Sequence, residues 1–261
     1  MSPARQNNVK ELNGITLSML LGDTTPSVEE IHKILDQDGH NCNFEYRDAH
    51  GQTCLQRALA NRKIPDVIYR KIFDLGGKPD VIDTAGVAAI VLAAGRNDLY
   101  CVEKMVEKGA DINAANSTNG ATPLTALISS VCNKFDIEKM VSLGADVNRS
   151  DAWGVTPLME AAIVPMNPAI AAENIHMLYK HGANPLALDS VGLCVLDHAE
   201  QNNSVIVIQA VKEILSDHSR RAEESRQQAL REFAENATKI TQDINAPTGV
   251  TVVKKTTKLR L

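Results

Sequence analysis

Glycine recurs at Gly51, Gly86, Gly120, Gly154 and Gly192, at intervals of 35, 34, 34 and 38 residues. A second series, Gly39, Gly76, Gly109, Gly144 and Gly182, precedes the first by ten to twelve residues each time. Two series in phase are much harder to obtain by chance than one, and a period of this length belongs to arrays of small helical or mixed units. The stretch from Asp146 to Ala162, "DVNRSDAWGVTPLMEAA", is a loose copy of that from Asp111 to Leu127, "DINAANSTNGATPLTAL". Gly14 stands where an earlier, degenerate unit would begin.

Each unit can be read locally. In "DAWGVTPLMEAA", Asp151 and Gly154 take the first and last places favoured in a type I turn. Thr156 offers a hydroxyl to cap a helix, and Pro157 sits at the first helical position, where its missing N–H costs nothing. Leu158 opens an apolar face, and Ala161 and Ala162 permit close helix approach. A second helix follows, with apolar residues three and four apart: Ile137, Met140 and Val141 in one unit, Val102, Met105 and Val106 in another, Ile31, Ile34 and Leu35 near the start. Gly109, Gly144 or Gly182 then closes it in the left-handed conformation. Neither helix can stand alone. Stacked pairs bury their shared faces, so the array is the folding unit.

Composition agrees and excludes several classes. Hydrophobic residues make up 44% of the 261-residue chain but aromatics only 3%, which suits thin, closely packed helices rather than a thick core built on rings. A net charge of −5 does not advertise nucleic-acid or anionic-membrane binding, and nine aromatics are too few for a base-stacking platform. The chain opens on a polar stretch, and its longest apolar run, Val87 to Ala94, is far too short to span a bilayer. Five cysteines, Cys42, Cys54, Cys101, Cys132 and Cys194, are odd in number and form no CxxC, as expected of free thiols in a reducing compartment. The expectation is a soluble, cytoplasmic protein.

"GADIN", "GADVN" and "GxTPLxxA" resemble the ankyrin repeat, over residues 14–217 and most strongly between Gly109 and Ala162. The resemblance implies an all-α solenoid of about six stacked helix-turn-helix units with projecting loops, its concave face made by loop tips and first helices. It also implies where a partner would touch: the letters between the turn Asp and Gly, and the one after Gly. On this sequence these are His50 and Gln52, Thr84 and Val87, Thr118 and Asn119, Trp153 and Val155, Val191 and Leu193. The histidine that follows Thr-Pro-Leu in the family is replaced by Gln56, Val91, Thr125, Met159 and Asp197. In the family it hydrogen-bonds within and between units, so weaker polar stitching is expected, at about 1 kcal/mol per lost net bond. The unit at Gly86, "GVAAIVLAAG", has no threonine or proline, and its helix must be held by apolar packing. The 38-residue interval contains "IVPMNPAI", read as an insertion between two helices.

Trp153 is the only tryptophan. The register places it at a loop tip, as a contact for a partner or packed against the neighbouring loop. After the array (14–217), following a polar segment (1–13), residues 218–245 lack glycine and proline and read as a helix. Its apolar stripe is Leu230, Phe233, Ala237, Ile240 and Ile244. Such a helix can cap the last unit, form a dimer seam or hold another chain. The tail (246–261) carries Lys254, Lys255, Lys258 and Arg260 and reads as flexible. Its composition loosely resembles the translocation signals of bacterial effectors, which would make the chain a protein secreted into a host cell.

Little points to chemistry. "LGGKPD" occupies a unit turn and lacks the spacing of a phosphate loop. His40, Cys42 and His50 lack a fourth metal ligand at convincing spacing, and Asp197-His198 has no serine nucleophile motif near it. The sequence therefore predicts a non-enzymatic module that binds another protein, with no cofactor or metal, and no nucleic-acid or membrane partner.

Overall fold

A computed structural model of the chain describes residues 3–130, 132–163 and 167–245, without the side chains of 3–8 and 237–245. Residues 246–261, and with them the basic tail, lie outside this range. The described residues form twelve helices and no strand, so the fold is all-α. The helices come in six pairs: α1 (Pro3–Gly22) and α2 (Val28–Gln37), α3 (Cys54–Ala60) and α4 (Asp66–Asp74), α5 (Ala89–Gly95) and α6 (Leu99–Glu107), α7 (Pro123–Ile128) and α8 (Lys134–Ser142), α9 (Pro157–Ile163) and α10 (Pro168–Lys180), α11 (Val195–Asn202) and α12 (Val205–Asn245). Among the described residues, no helix is long and apolar enough to cross a membrane.

Contacts divide the chain into Met1–Leu215 and Ser216–Leu261. Within the first unit, the leading helices stack in chain order, α1 on α3, then α5, α7, α9 and α11, while α6, α8 and α10 stack as a second layer. One connected apolar cluster runs through both layers, from Leu17 to Ile214. Close approach is possible because the leading helices carry small buried residues: Ala58, Ala93, Ala94, Ala161, Ala162 and Ala199. Helix α5 has no side-chain cap and buries Ala89, Ile90, Val91, Ala93 and Ala94, so apolar packing holds it. The helix starts follow local rules elsewhere. Thr53 and Thr122 complete capping boxes with Gln56 and Thr125, and Thr156 accepts the Met159 N–H at 3.3 Å.

Both glycine series reappear as backbone geometry. Gly51, Gly86, Gly120, Gly154 and Gly192 in the loops, and Gly76, Gly109, Gly144 and Gly182 behind the second helices, all have positive φ. Two glycines depart. Gly39 lies in a 3-10 turn, Gly39–Asn41, without positive φ. Gly14 opens no unit: it is inside α1, which begins before the 13/14 boundary, and a Cβ there would stand 2.6 Å from the Asn43 carbonyl oxygen. The extra residues after Gly154 make a longer helix rather than a long loop. Helix α10 has 13 residues where α6 and α8 have 9, and Asn167 caps it with Pro168 at its first position. Val164, Pro165 and Met166 are outside the described residues.

Helix α12 runs without interruption through the 217/218 boundary drawn from the sequence. Its first part buries Val207, Ala210, Val211 and Ile214. In the second unit its side chains pair along the helix, Arg220 with Glu224 at 2.8 Å, Arg221 with Asp217 at 2.6 Å and Gln227 with Glu223 at 3.1 Å. Leu230 and Phe233 are 60% and 75% exposed. The side chains of Ala237, Ile240 and Ile244 are outside the description.

Candidate interaction surface

The loops between successive helix pairs are built on one plan. In four of them an aspartate opens the turn and a glycine closes it, with the Gly N–H donating to the Asp carbonyl at 2.9–3.1 Å in the pairs 48–51, 83–86, 151–154 and 189–192. The aspartate Oδ1 then accepts two backbone N–H groups. For Asp151 these come from Trp153 and Val155, both at 2.9 Å. For Asp48 they come from His50 at 2.8 Å and Gln52 at 2.9 Å. The remaining loop is one residue longer, Asn116 to Gly120, and divides the task between Asn116 and Asn119. With its N–H groups occupied in this way, a short loop is rigid before any partner arrives.

Neighbouring loops are joined edge to edge. The Thr84 N–H and hydroxyl both donate to the His50 carbonyl, at 3.1 and 2.7 Å. The Thr118 hydroxyl donates to the Ala85 carbonyl at 2.9 Å, Ala152 N–H to Asn119 at 3.0 Å and Ser190 N–H to Trp153 at 2.7 Å. Below the tips, the Asn113 amide donates to the Gly144 carbonyl at 3.0 Å and accepts the Asp146 N–H at 2.8 Å. Asn148 repeats the device on Gly182 and Asn184, at 3.0 and 2.7 Å.

The expected loss of polar stitching is offset at one of the five positions. Gln56, fully buried where the resemblance expects histidine, accepts the Thr53 N–H at 3.0 Å and donates to the carbonyls of Val81 and Val87 in the next unit, at 3.1 and 2.7 Å. Thr125 and Asp197 serve only their own helix starts, through Thr122 and Cys194, both at 2.7 Å. A buried glutamine can satisfy the same backbone groups as an imidazole, because it carries both an acceptor and donors.

The ten residues marked as partner contacts separate into three groups. Gln52, Thr84, Thr118 and Asn119 spend their side chains inside the loop ladder: Gln52 donates to Asp83 Oδ2 at 3.2 Å, the two threonines bind neighbouring carbonyls, and Asn119 Oδ1 accepts the Ala121 N–H at 3.1 Å. Val155 is half-buried against the core, as is Val87, and Leu193 is half-buried. His50, Trp153 and Val191 are exposed, with Trp153 at 57% and Val191 at 77%. The Trp153 and Val191 tips are adjacent in the ladder, joined through Ser190. Leu186 and Leu188 are exposed just before the last loop. They escaped the sequence reading, although the corresponding places in the preceding unit hold Asn148 and Ser150, and that change from polar to apolar was the available signal.

Trp153 also walls a cavity of about 200 Å³ between its loop and the leading helices, shared with Asp151, Val155, Glu160, Ser129 and Thr125. Among the described residues, no group of three or more His, Cys, Asp or Glu side chains is placed to hold a metal ion. Burial, with a contribution from Asp38, pushes the Cys42 thiol up to about 11. No protein-family model matches the chain, and no curated protein matches it.

Proposed function

We propose that the chain is an ankyrin-repeat module that binds another protein through its loop tips and the adjoining face of its leading helices. The ankyrin reading is supported by the coincidence of the two glycine series with left-handed backbone, and by six helix pairs whose leading helices stack in chain order. The binding reading rests on one observation above others. The only tryptophan stands exposed at the tip of a loop whose backbone is fixed on both sides, by Asn119 accepting from Ala152 and by Ser190 donating to Trp153. An aromatic held rigidly in water gives up little conformational entropy when a partner covers it, and tryptophan is among the commonest interface anchors.

Affinity capture from native lysate, with Trp153→Ala as the matched control, tests this. Truncation is expected to weaken partner binding about thirtyfold, the equivalent of about 2 kcal/mol, and to leave the melting temperature unchanged. A variant that captures the partner as well as wild type but melts earlier would mark Trp153 as a packing residue.

A further inference from the structure

The loop aspartates use Oδ1 for the turn, and their Oδ2 atoms are free to take a side chain. In three loops the chain itself supplies one: Arg57 on Asp48, Gln52 on Asp83 at 3.2 Å and His198 on Asp189 at 3.0 Å. Arg57 and His198 occupy the same place, the fourth residue of the helix that follows the loop. In the Asp151 loop that place holds Glu160. A second carboxylate therefore stands where Arg57 and His198 stand in their loops, and no described side chain bonds to Asp151 Oδ2. Glu160 is held by the Ser129 hydroxyl. Both carboxylates line the cavity walled by Trp153, and among the described residues no Lys, Arg or His lines it.

We propose that this cavity receives the guanidinium of an arginine carried by the partner protein, entering where Arg57 stands in its own loop. The inference rests on the protein-binding reading above and names the chemistry that the partner must present. Three features select arginine. Its planar fork can reach Asp151 Oδ2 and Glu160 together, its charge cancels an excess that the Asp48 loop cancels with its own Arg57, and its flat face stacks on an indole. The chain already uses that stacking elsewhere, with Arg70 5.1 Å from the Tyr100 ring centre and Arg96 4.8 Å from that of Tyr69. Val191, exposed on the adjacent tip, offers an apolar surface for the residue next to the arginine.

The single indole N–H gives an unambiguous probe. The full chain, labelled with ¹⁵N, is titrated with N-acetyl-arginine methylamide and separately with its citrulline counterpart, which keeps the shape and loses the charge. The arginine compound is expected to shift the Trp153 indole signal saturably, about tenfold more tightly than citrulline. The double variant Asp151→Asn, Glu160→Gln is expected to lose that preference while melting as wild type does, because an amide oxygen can accept the same backbone N–H groups, as Asn116 accepts that of Thr118. Equal responses to both compounds, no response, or an unchanged preference in the variant would overturn the proposal. The two readings can fail separately. A captured partner that depends on Trp153 but binds the double variant normally removes the arginine and keeps the interaction surface. A saturable arginine response with capture indifferent to Trp153→Ala keeps the pocket and moves the partner surface elsewhere.

Discussion

Asp98 shows how much a single side chain can join. It caps α6 by accepting the Cys101 N–H at 3.0 Å, and it takes Arg70 at 2.9 and 3.0 Å and the Tyr69 hydroxyl at 2.7 Å from α4. Burial pushes its carboxyl upward, but these donors outweigh burial and hold it below the usual carboxylate range. A carboxyl held low in the folded state stabilises the fold fully above its unfolded value, about pH 4, and loses that contribution as pH falls through the lower folded value. Asp98→Asn is therefore expected to cost about 1–3 kcal/mol near neutral pH. The gap from wild type should narrow on acidification below about pH 4. Urea unfolding of both proteins across this range measures it, and a gap constant down to the lowest pH would exclude ionisation of Asp98 as the cause. Residues 70 and 98 are far apart in sequence, and only the meeting of two helix pairs reveals that they are partners.

Gly154 and Gly182, one from each glycine series, differ in what they tolerate. Gly154 has φ +80°, and a Cβ there would meet the Ser190 nitrogen at 2.9 Å and the Asp189 Cα at 3.0 Å. Gly182 has φ +90° with nothing within 4 Å of an added Cβ. Alanine at either position carries the left-handed penalty, about 1–2 kcal/mol. Only at Gly154 does it also collide with the next loop, so Gly154→Ala is expected to cost at least about 1 kcal/mol more than Gly182→Ala. Unfolding midpoints of the two variants decide this, and equal losses would mean that the loops part freely. Helix α10 makes the related point that four additional residues were absorbed by extending a helix, which buries backbone polar groups that a loop would have left to water.

Because the leading helices touch only their neighbours in chain order, stability is distributed along one dimension. Helices α3, α5, α7 and α9 have a partner on each side, whereas α1 and α11 each have one in that layer. Amide exchange is therefore expected to be slowest in α3, α5, α7 and α9 and faster in α1 and α11 at the ends of the stack. Mass-spectrometric exchange resolves these helices, and a uniform rate across all of them would show that the stack opens as one body. A central position for the slowest exchange would also place Trp153, on the loop entering α9, upon the firmest part of the surface.

The positions of helices and turns were legible in the chain because local chemistry sets them: Thr-Pro at a helix start, glycine where φ must be positive, apolar residues three and four apart. The loop tips could be located from the same register, and with them Trp153. What the register could not tell was which of those tip residues are free. Thr84, Thr118 and Gln52 are polar and variable like any contact residue, yet their donors are consumed by the adjacent loop, a bond partner about a full unit away in sequence. Gln56 in place of histidine read as a loss, and Glu160 in place of Arg57 or His198 read as nothing at all. Their meaning comes from the stacking of one unit on the next, which alone brings a glutamine to two carbonyls and leaves two carboxylates beside an indole without a cation.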